Sequence, residues 1–285
     1  MRVINRAGRT LTLALLSVAL VAAGLPRDFF MEAAAEVGVQ SGRGLVLASA
    51  TNLIVDSQPM RVQAVEKDYA FSTPASDVYR FEVRKNDFGW DGDGPADNRR
   101  SELVSEGDHY YADETLWSAF SFVVGPEHLP FDPEGEDSSP YHNIIHQWHS
   151  VDTASGRSPV FAIELRNGDF TVSTRSDDDP SRLVTHYSET RPADGVVHDV
   201  VVSGLLGNDG HLNVWLDGRQ IVNDDTAIGY YDDDGGLAYP HWGIYQKNVD
   251  APAIVYHANI EWGLEELSGR VTAPPDVIEP PGGWV

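Results

Sequence analysis

From Ser76 onward the chain alternates apolar and polar residues with a period of two, and Gly, Asp, Asn and Pro break the pattern every few residues. No long stretch repeats at the 3.6-residue period of an amphipathic helix. In VYRFEVRK, Tyr79, Phe81 and Val83 share one face of a predicted strand, and Arg80, Glu82 and Arg84 share the other. LWSAFSFVV (Leu116 to Val124) is apolar on both faces, as a central strand of a sandwich must be. FAIELRNGDFTVSTR places Asn167-Gly168 between two alternating runs, and HLNVWLDGRQIV does the same around Asp217-Gly218; both read as hairpins. AIVYHANIEW (Ala253 to Trp262) supplies a late strand. Many short strands joined by turns, with almost no helix, predict an all-β antiparallel sandwich of the jelly-roll type.

The ends differ from this body. Arg2, Arg6 and Arg9 precede the apolar run Leu11 to Gly24, whose length suits a secretory signal better than a membrane-spanning helix of about 20 residues. Residues 1–23 are therefore read as a signal peptide, with cleavage possible as late as residue 35, and the protein is expected to be secreted. Residues 40–265 are read as the β domain. The Pro- and Gly-rich tail, 266–285, is expected to be extended or unpacked.

Composition narrows the function. With 285 residues, 41% apolar, the chain can bury one sizeable core. Its net charge of −24, from 44 acidic against 20 basic residues, argues against nucleic acid as the main partner. A monomer without a membrane partner is expected. Lysine is scarce (Lys67, Lys85, Lys247), so each placement is informative, and the absence of cysteine removes disulfides and thiolate chemistry.

Three predicted strands carry polar residues suited to chemistry. In Arg99-Arg100-Ser101-Glu102-Leu103, Arg100 and Glu102 share a face, as a structural ion pair or as an anion-binding arginine with its partner. In Tyr141 to His149, the β-branched Ile144-Ile145 favours a strand, on which His142 and His146 face away from His149, so the three histidines cannot converge on a metal. No HExxH occurs, which removes the zinc-peptidase reading. Gln147 and His149 then sit side by side. In His241 to Lys247, the residues His241, Tyr245 and Lys247 share a face, with Gly243 between them leaving room for a ligand to approach the backbone. A lysine beside Tyr245 would lower the phenol pKa. Asn143 and Arg166 are further candidate substrate contacts.

RSEL at Arg100 to Leu103, QWH at Gln147 to His149 and HWGIYQ at His241 to Gln246 together resemble the three signature strands of the jelly-roll polysaccharide lyases, a group that includes glucuronan, heparin and alginate lyases. The resemblance spans roughly residues 40 to 265. His241-Trp242 stands where alginate lyases usually have Lys-Ala before the glycine, and QWH is closer to the glucuronan and heparin lyase branches. The resemblance implies a concanavalin A-like jelly roll and β-elimination of a uronate polymer, an anionic polysaccharide, with no required cofactor. It implies that Arg100 and Gln147 bind the carboxylate and that His149 or Tyr245 removes the α-proton, with Tyr245 able to protonate the leaving oxygen. It also implies that Glu102 orients Arg100 and that His241 and Lys247 bind neighbouring uronates.

Asp91-Gly92-Asp93-Gly94 with Asp97-Asn98, and Asp232-Asp233-Asp234, could offer oxygen ligands to a structural Ca²⁺, although such clusters also form plain turns. Two rivals share the fold. A glycoside hydrolase needs two carboxylates flanking the bond, and no Glu-x-Asp-x-x-Glu strand occurs. A lectin-like module would use Trp148, Trp242 and Tyr245 as stacking platforms.

Overall fold

The computed structural model describes residues 45–46, 52–106, 109–125, 143–150, 158–166, 168–176, 183–230, 238–247 and 250–284. The signal segment, His142, Asn167 and Asp232 to Asp234 lie outside them. In chain order the first strands are β1 (Leu45–Val46), β2 (Asn52–Val55), β3 (Gln58–Gln63), β4 (Phe71–Ala75) and β5 (Val78–Val83). A single helical turn, α1 (Asp93–Ala96), precedes β6 (Asn98–Ser105), β7 (Thr115–Val124), β8 (Asn143–His149), β9 (Phe161–Arg166) and β10 (Asp169–Thr174). Then come β11 (Val184–Thr190), β12 (His198–Leu205), β13 (His211–Leu216), β14 (Arg219–Asp225), β15 (Tyr239–Lys247), β16 (Ala253–Gly263) and the turn α2 (Gly269–Thr272).

These strands form two antiparallel sheets, ordered β1-β4-β5-β16-β7-β12-β13-β14 and β11-β10-β9-β8-β15-β6-β3-β2. Hairpin pairs such as β9-β10 and β13-β14 alternate with crossovers such as β5-β16, β7-β12 and β8-β15-β6, as in a jelly roll. In β5 the period-two faces predicted from sequence are the faces observed. Tyr79, Phe81 and Val83 enter the core, and Leu116, Phe120, Phe122 and Val124 of the centrally placed β7 meet Trp148, Phe161, Trp242 and Ile244 of the other sheet. Each such side chain contributes roughly 1.5–3 kcal/mol on full burial. The β9–β10 and β13–β14 hairpins form, the latter with Asp217 and Gly218 both at positive φ (52° and 76°), as a tight two-residue turn requires.

Two expectations change here. Trp148 and Trp242 are fully buried, and the indole N–H of Trp148 donates to Ser118 Oγ across the sandwich at 3.0 Å; neither tryptophan is a stacking platform for sugar. The tail is not unpacked. Val277 and Trp284 cover Val123 and Tyr256 on the outer face of the first sheet, and the Arg270 guanidinium holds the Asn259 carbonyl and the carboxylates of Glu261 and Asp199.

Candidate active site

The second sheet presents a polar face away from the core, and its register fixes who meets whom. One row crosses the strands through Arg61 (β3), Val104 (β6), His241 (β15), Gln147 (β8), Ala162 (β9) and Ser173 (β10). A second row runs Arg100 (β6), Tyr245 (β15), Ile144 (β8), Glu164 (β9), Thr171 (β10) and Ser188 (β11). Side chains on one face alternate along each strand, so the polar members of both rows project to the same side.

Glu102 is the hub. Its side chain is 1% exposed; Oε1 accepts from Gln147 Nε2 at 2.6 Å, and Oε2 accepts from Arg100 Nη1 at 3.2 Å and His241 Nδ1 at 3.4 Å. Burial alone would raise its pKa, but His241, Arg100 and Gln147 outweigh that and hold the carboxyl below its ordinary range. Burial lowers the His241 pKa despite Glu102, so the ring is a neutral donor to the hub.

Arg100 is more fully engaged than the sequence indicates. Besides Glu102 it donates to Gln63 Oε1 at 3.0 Å, and Nε and Nη2 clasp the buried carboxylate of Asp93 at 2.7–2.9 Å. Asp93 is set by α1 and also accepts the Trp90 backbone N–H. Two carboxylates therefore compensate one guanidinium. Asp93 is committed to this ion pair, and among the described residues no group of three or more His, Asp or Glu is placed to hold a metal ion.

His149 Nδ1 lies 2.8 Å from the Ser150 carbonyl. A carbonyl only accepts, so Nδ1 carries the hydrogen and Nε2 keeps its lone pair. Burial lowers the pKa to about 4, so the ring is neutral at pH 7. It stacks on His241 at 5.8 Å between ring centres and stands 5.8 Å from the Tyr239 ring, which itself lies 4.7 Å from His241.

Tyr245 occupies the other end of the hub. The Arg100 guanidinium lies 4.5 Å from its ring centre, and Asn98 Nδ2 donates to its hydroxyl at 2.5 Å. Burial raises its pKa more than Arg100 lowers it, so the phenol keeps its proton. The cation beside it is Arg100. Lys247, expected in that place, turns its amine to the Ala96 carbonyl at 3.0 Å. Because β8 and β15 are antiparallel, stepping from Gln147 to His149 moves from His241 back to Tyr239, which pairs with His149, and away from Tyr245. His149 and Tyr245 thus share a face but flank the hub from opposite ends.

Two further expectations are corrected. The register of β8 slips between Ile144 and His146, so Ile145 enters the core and Asn143 turns off the polar face. Its amide donates to the Leu165 carbonyl at 2.9 Å. Gly243 has φ of 135°, and a Cβ there would meet Ser101 O at 2.2 Å; the approach of β6, together with that backbone conformation, demands glycine. Arg166 keeps its place on the polar face, two residues beyond Glu164. Sequence reasoning missed Gln63, Arg61 and Tyr239, whose places come from strand register and which no local motif marks; it named Asp93 and Asn98 only as possible Ca²⁺ ligands, whereas Asp93 anchors Arg100 and Asn98 bonds the Tyr245 hydroxyl.

A jelly roll whose one sheet gathers amide, imidazole, phenol and guanidinium groups around a buried carboxylate defines a carbohydrate-active β-sandwich. Residues 49–261 match the family described as polysaccharide lyase, and the chain belongs to that family; it is a polysaccharide lyase. Solved structures share the fold. The endo-β-1,4-glucuronan lyase of the fungus Trichoderma reesei superposes with a TM-score of 0.52 at 16% identity, covering 78% of this chain and 94% of that one. A family 7 alginate lyase, A1-II′, with one histidine and one tyrosine replaced and substrate bound, gives 0.53 at 15% identity over 70% and 82%. A product complex of the same lyase with the tyrosine alone replaced gives 0.52 at 14% over 69% and 84%. No curated protein matches by sequence.

Proposed function

We propose that this lyase cleaves a uronic-acid polymer by β-elimination, with glucuronan the first candidate and alginate or heparin-type polymers next. The observation that carries the reading is the Glu102 hub, which ties Arg100, Gln147 and His241 into one cluster with His149 and Tyr245 at its ends. Elimination removes the proton on the carbon bearing the carboxylate and expels the 4-linked oxygen. The difficulty is charge, because the carbanion forms beside a carboxylate. Gln147 has a second amide hydrogen and Arg100 a remaining N–H, so donors remain to hold that carboxylate and the enolate-like charge that develops on it. His149 Nε2 takes the proton, and Tyr245, protonated and hydrogen-bonded by Asn98, returns one to the leaving oxygen.

The alginate and glucuronan lyase neighbours support a uronate substrate. The same reading takes the protein as an exported monomer that needs no cofactor; a structural Ca²⁺ at Asp232 to Asp234 would be additional to it. Incubation with glucuronan, alginate and heparin under near-ultraviolet detection tests the proposal. An absorbing unsaturated product from one polymer is expected. Reducing ends without absorbance would indicate hydrolysis, and binding without either would indicate a lectin.

A further inference from the structure

Among the described residues, six buried polar atoms on the polar face have no hydrogen-bond partner: Arg61 Nε, Asn98 Oδ1, His241 Nε2, Gln147 Oε1, Glu164 Oε2 and Ser173 Oγ. The last four fall together. His241, Gln147 and Ser173 belong to the first cross-strand row, and Glu164 sits in the second row on β9, diagonal to both Gln147 and Ser173. Together they mark a line across β15, β8, β9 and β10, three strand spacings or about 14 Å long. Between Gln147 and Ser173 the row passes Ala162, the smallest side chain in it.

Buried polar groups are normally satisfied, and leaving one unsatisfied is destabilising. A continuous series of them on the face that carries the acid–base groups indicates that something else completes their hydrogen bonds. Glu164 is the most costly member: 3% exposed, with burial raising its carboxyl pKa against the opposing pull of Arg166 and Arg175. A sugar hydroxyl both donates and accepts, so it satisfies a carboxyl in either protonation state as well as a serine hydroxyl.

We propose that Glu164 and Ser173, one and two strands beyond Gln147, form a further sugar subsite, which binds the hydroxyls of the next unit of the polymer chain lying across β15, β8, β9 and β10. This rests on the uronate-lyase reading and gives the substrate a direction, from the reaction centre toward β10. It makes Glu164 a binding residue for long substrates.

The test uses the full-length protein and an oligouronate ladder, trimer to hexamer, made from whichever polymer it cleaves. The gain in kcat/KM from trimer to hexamer is expected to shrink about tenfold in Glu164→Gln and to shrink in Ser173→Ala, as loss of one buried hydrogen bond to ligand predicts. The unfolding temperature of Glu164→Gln should equal or exceed that of the parent, because the variant loses a buried carboxyl with an unsatisfied oxygen. An unchanged gain overturns the proposal. So does an equal loss on trimer and hexamer with a lowered unfolding temperature, which would make Glu164 a structural residue. If the parent yields no unsaturated product from any of the three polymers, the elimination reading fails by itself. The subsite is then read by calorimetric titration of glucuronan, alginate and heparin hexamers into parent and Glu164→Gln: about tenfold weaker binding of the hexamer that the parent binds sustains it, and equal affinities or no binding of any hexamer to the parent overturn it.

Discussion

Replacing Glu102 by Gln tests whether the buried carboxylate organises the site. The substitution keeps shape and volume but removes the charge that three donors share. Gln147 can rotate its amide and still pair with the new side chain, so little hydrogen bonding is lost outright. What falls is the charge assistance at Arg100 and His241, where contacts of 3.2 and 3.4 Å are long and each loses only part of the difference between about 1.5–3 kcal/mol for a charged hydrogen bond and about 1 for a neutral one. Arg100 retains Asp93, and a neutral amide is easier to bury than a carboxylate. The net cost is about 1–2 kcal/mol, or about 2–8 °C in Tm for a domain of this size. Turnover should suffer far more. The rotated Gln147 turns its carbonyl where a donor is required, and kcat/KM should fall about 10²-fold, the effect typical of a displaced catalytic group. Thermal unfolding and near-ultraviolet turnover on the same samples separate the two effects. Glu102→Asp is the control, because it keeps the charge and withdraws it by one methylene; if placement matters, it stays impaired. A Glu102→Gln variant with parental kcat/KM would refute the hub.

Three further outcomes follow from the same geometry. Since His149 has a pKa of about 4 and acts only when neutral, kcat/KM should be lost as pH falls through about 4, and an acidic limb near 6.5 would remove His149 as the base. Tyr245→Phe should lower kcat about 10²-fold or more, as expected for a lost acid, and Tyr239→Phe much less; the reverse order would transfer the role to the phenol beside His149. His146 and His257 are buried with pKa values of about 3, so below about pH 6.5 the unfolded chain binds protons that the folded one refuses. Each should remove roughly 1.5 kcal/mol between pH 6.5 and 5, measurable as a falling unfolding free energy that flattens in His257→Phe; a pH-independent stability over that range would contradict the neutral burial.

The sequence made the strands and their faces legible because period-two alternation is a local property. Arg100 beside Glu102, Gln147 beside His149 and His241 in line with Tyr245 all follow from counting by twos along one strand. Asn143 failed for the same reason, since one irregularity before His146 reverses the parity that counting relies on. Long-range partnerships were not legible. Asp93 sits in a Gly-Asp turn like many others, and only the return of β6 past α1 makes it the anchor of Arg100. Lys247 looked like the cation for Tyr245 by proximity along the chain, whereas the cross-strand neighbour, Arg100, takes that place. The tail failed because two apolar residues among prolines and glycines carry no periodic signal, yet they suffice to cover a small apolar patch.

The irregularities that obscured the sequence also shape the site. The two polar rows are four residues apart on β15, at His241 and Tyr245, three apart on β8, at Gln147 and Ile144, and two apart on β9, at Ala162 and Glu164. At about 3.3 Å per residue, the rows therefore diverge from about 7 Å on β9 to as much as 13 Å on β15. Regular antiparallel pairing would keep them parallel; the register slips in β8 and β15 drive them apart. At the wide end the intervening residue of β15 is Gly243, which adds no side chain, and its register partner on β6 is Glu102. The conformation that obliges residue 243 to be glycine is thus part of the same distortion that separates Tyr245 from His241 and leaves the hub between them. A sugar ring fits where the rows are widest, and the narrowing toward β9 leads the next units past Ala162 to Glu164.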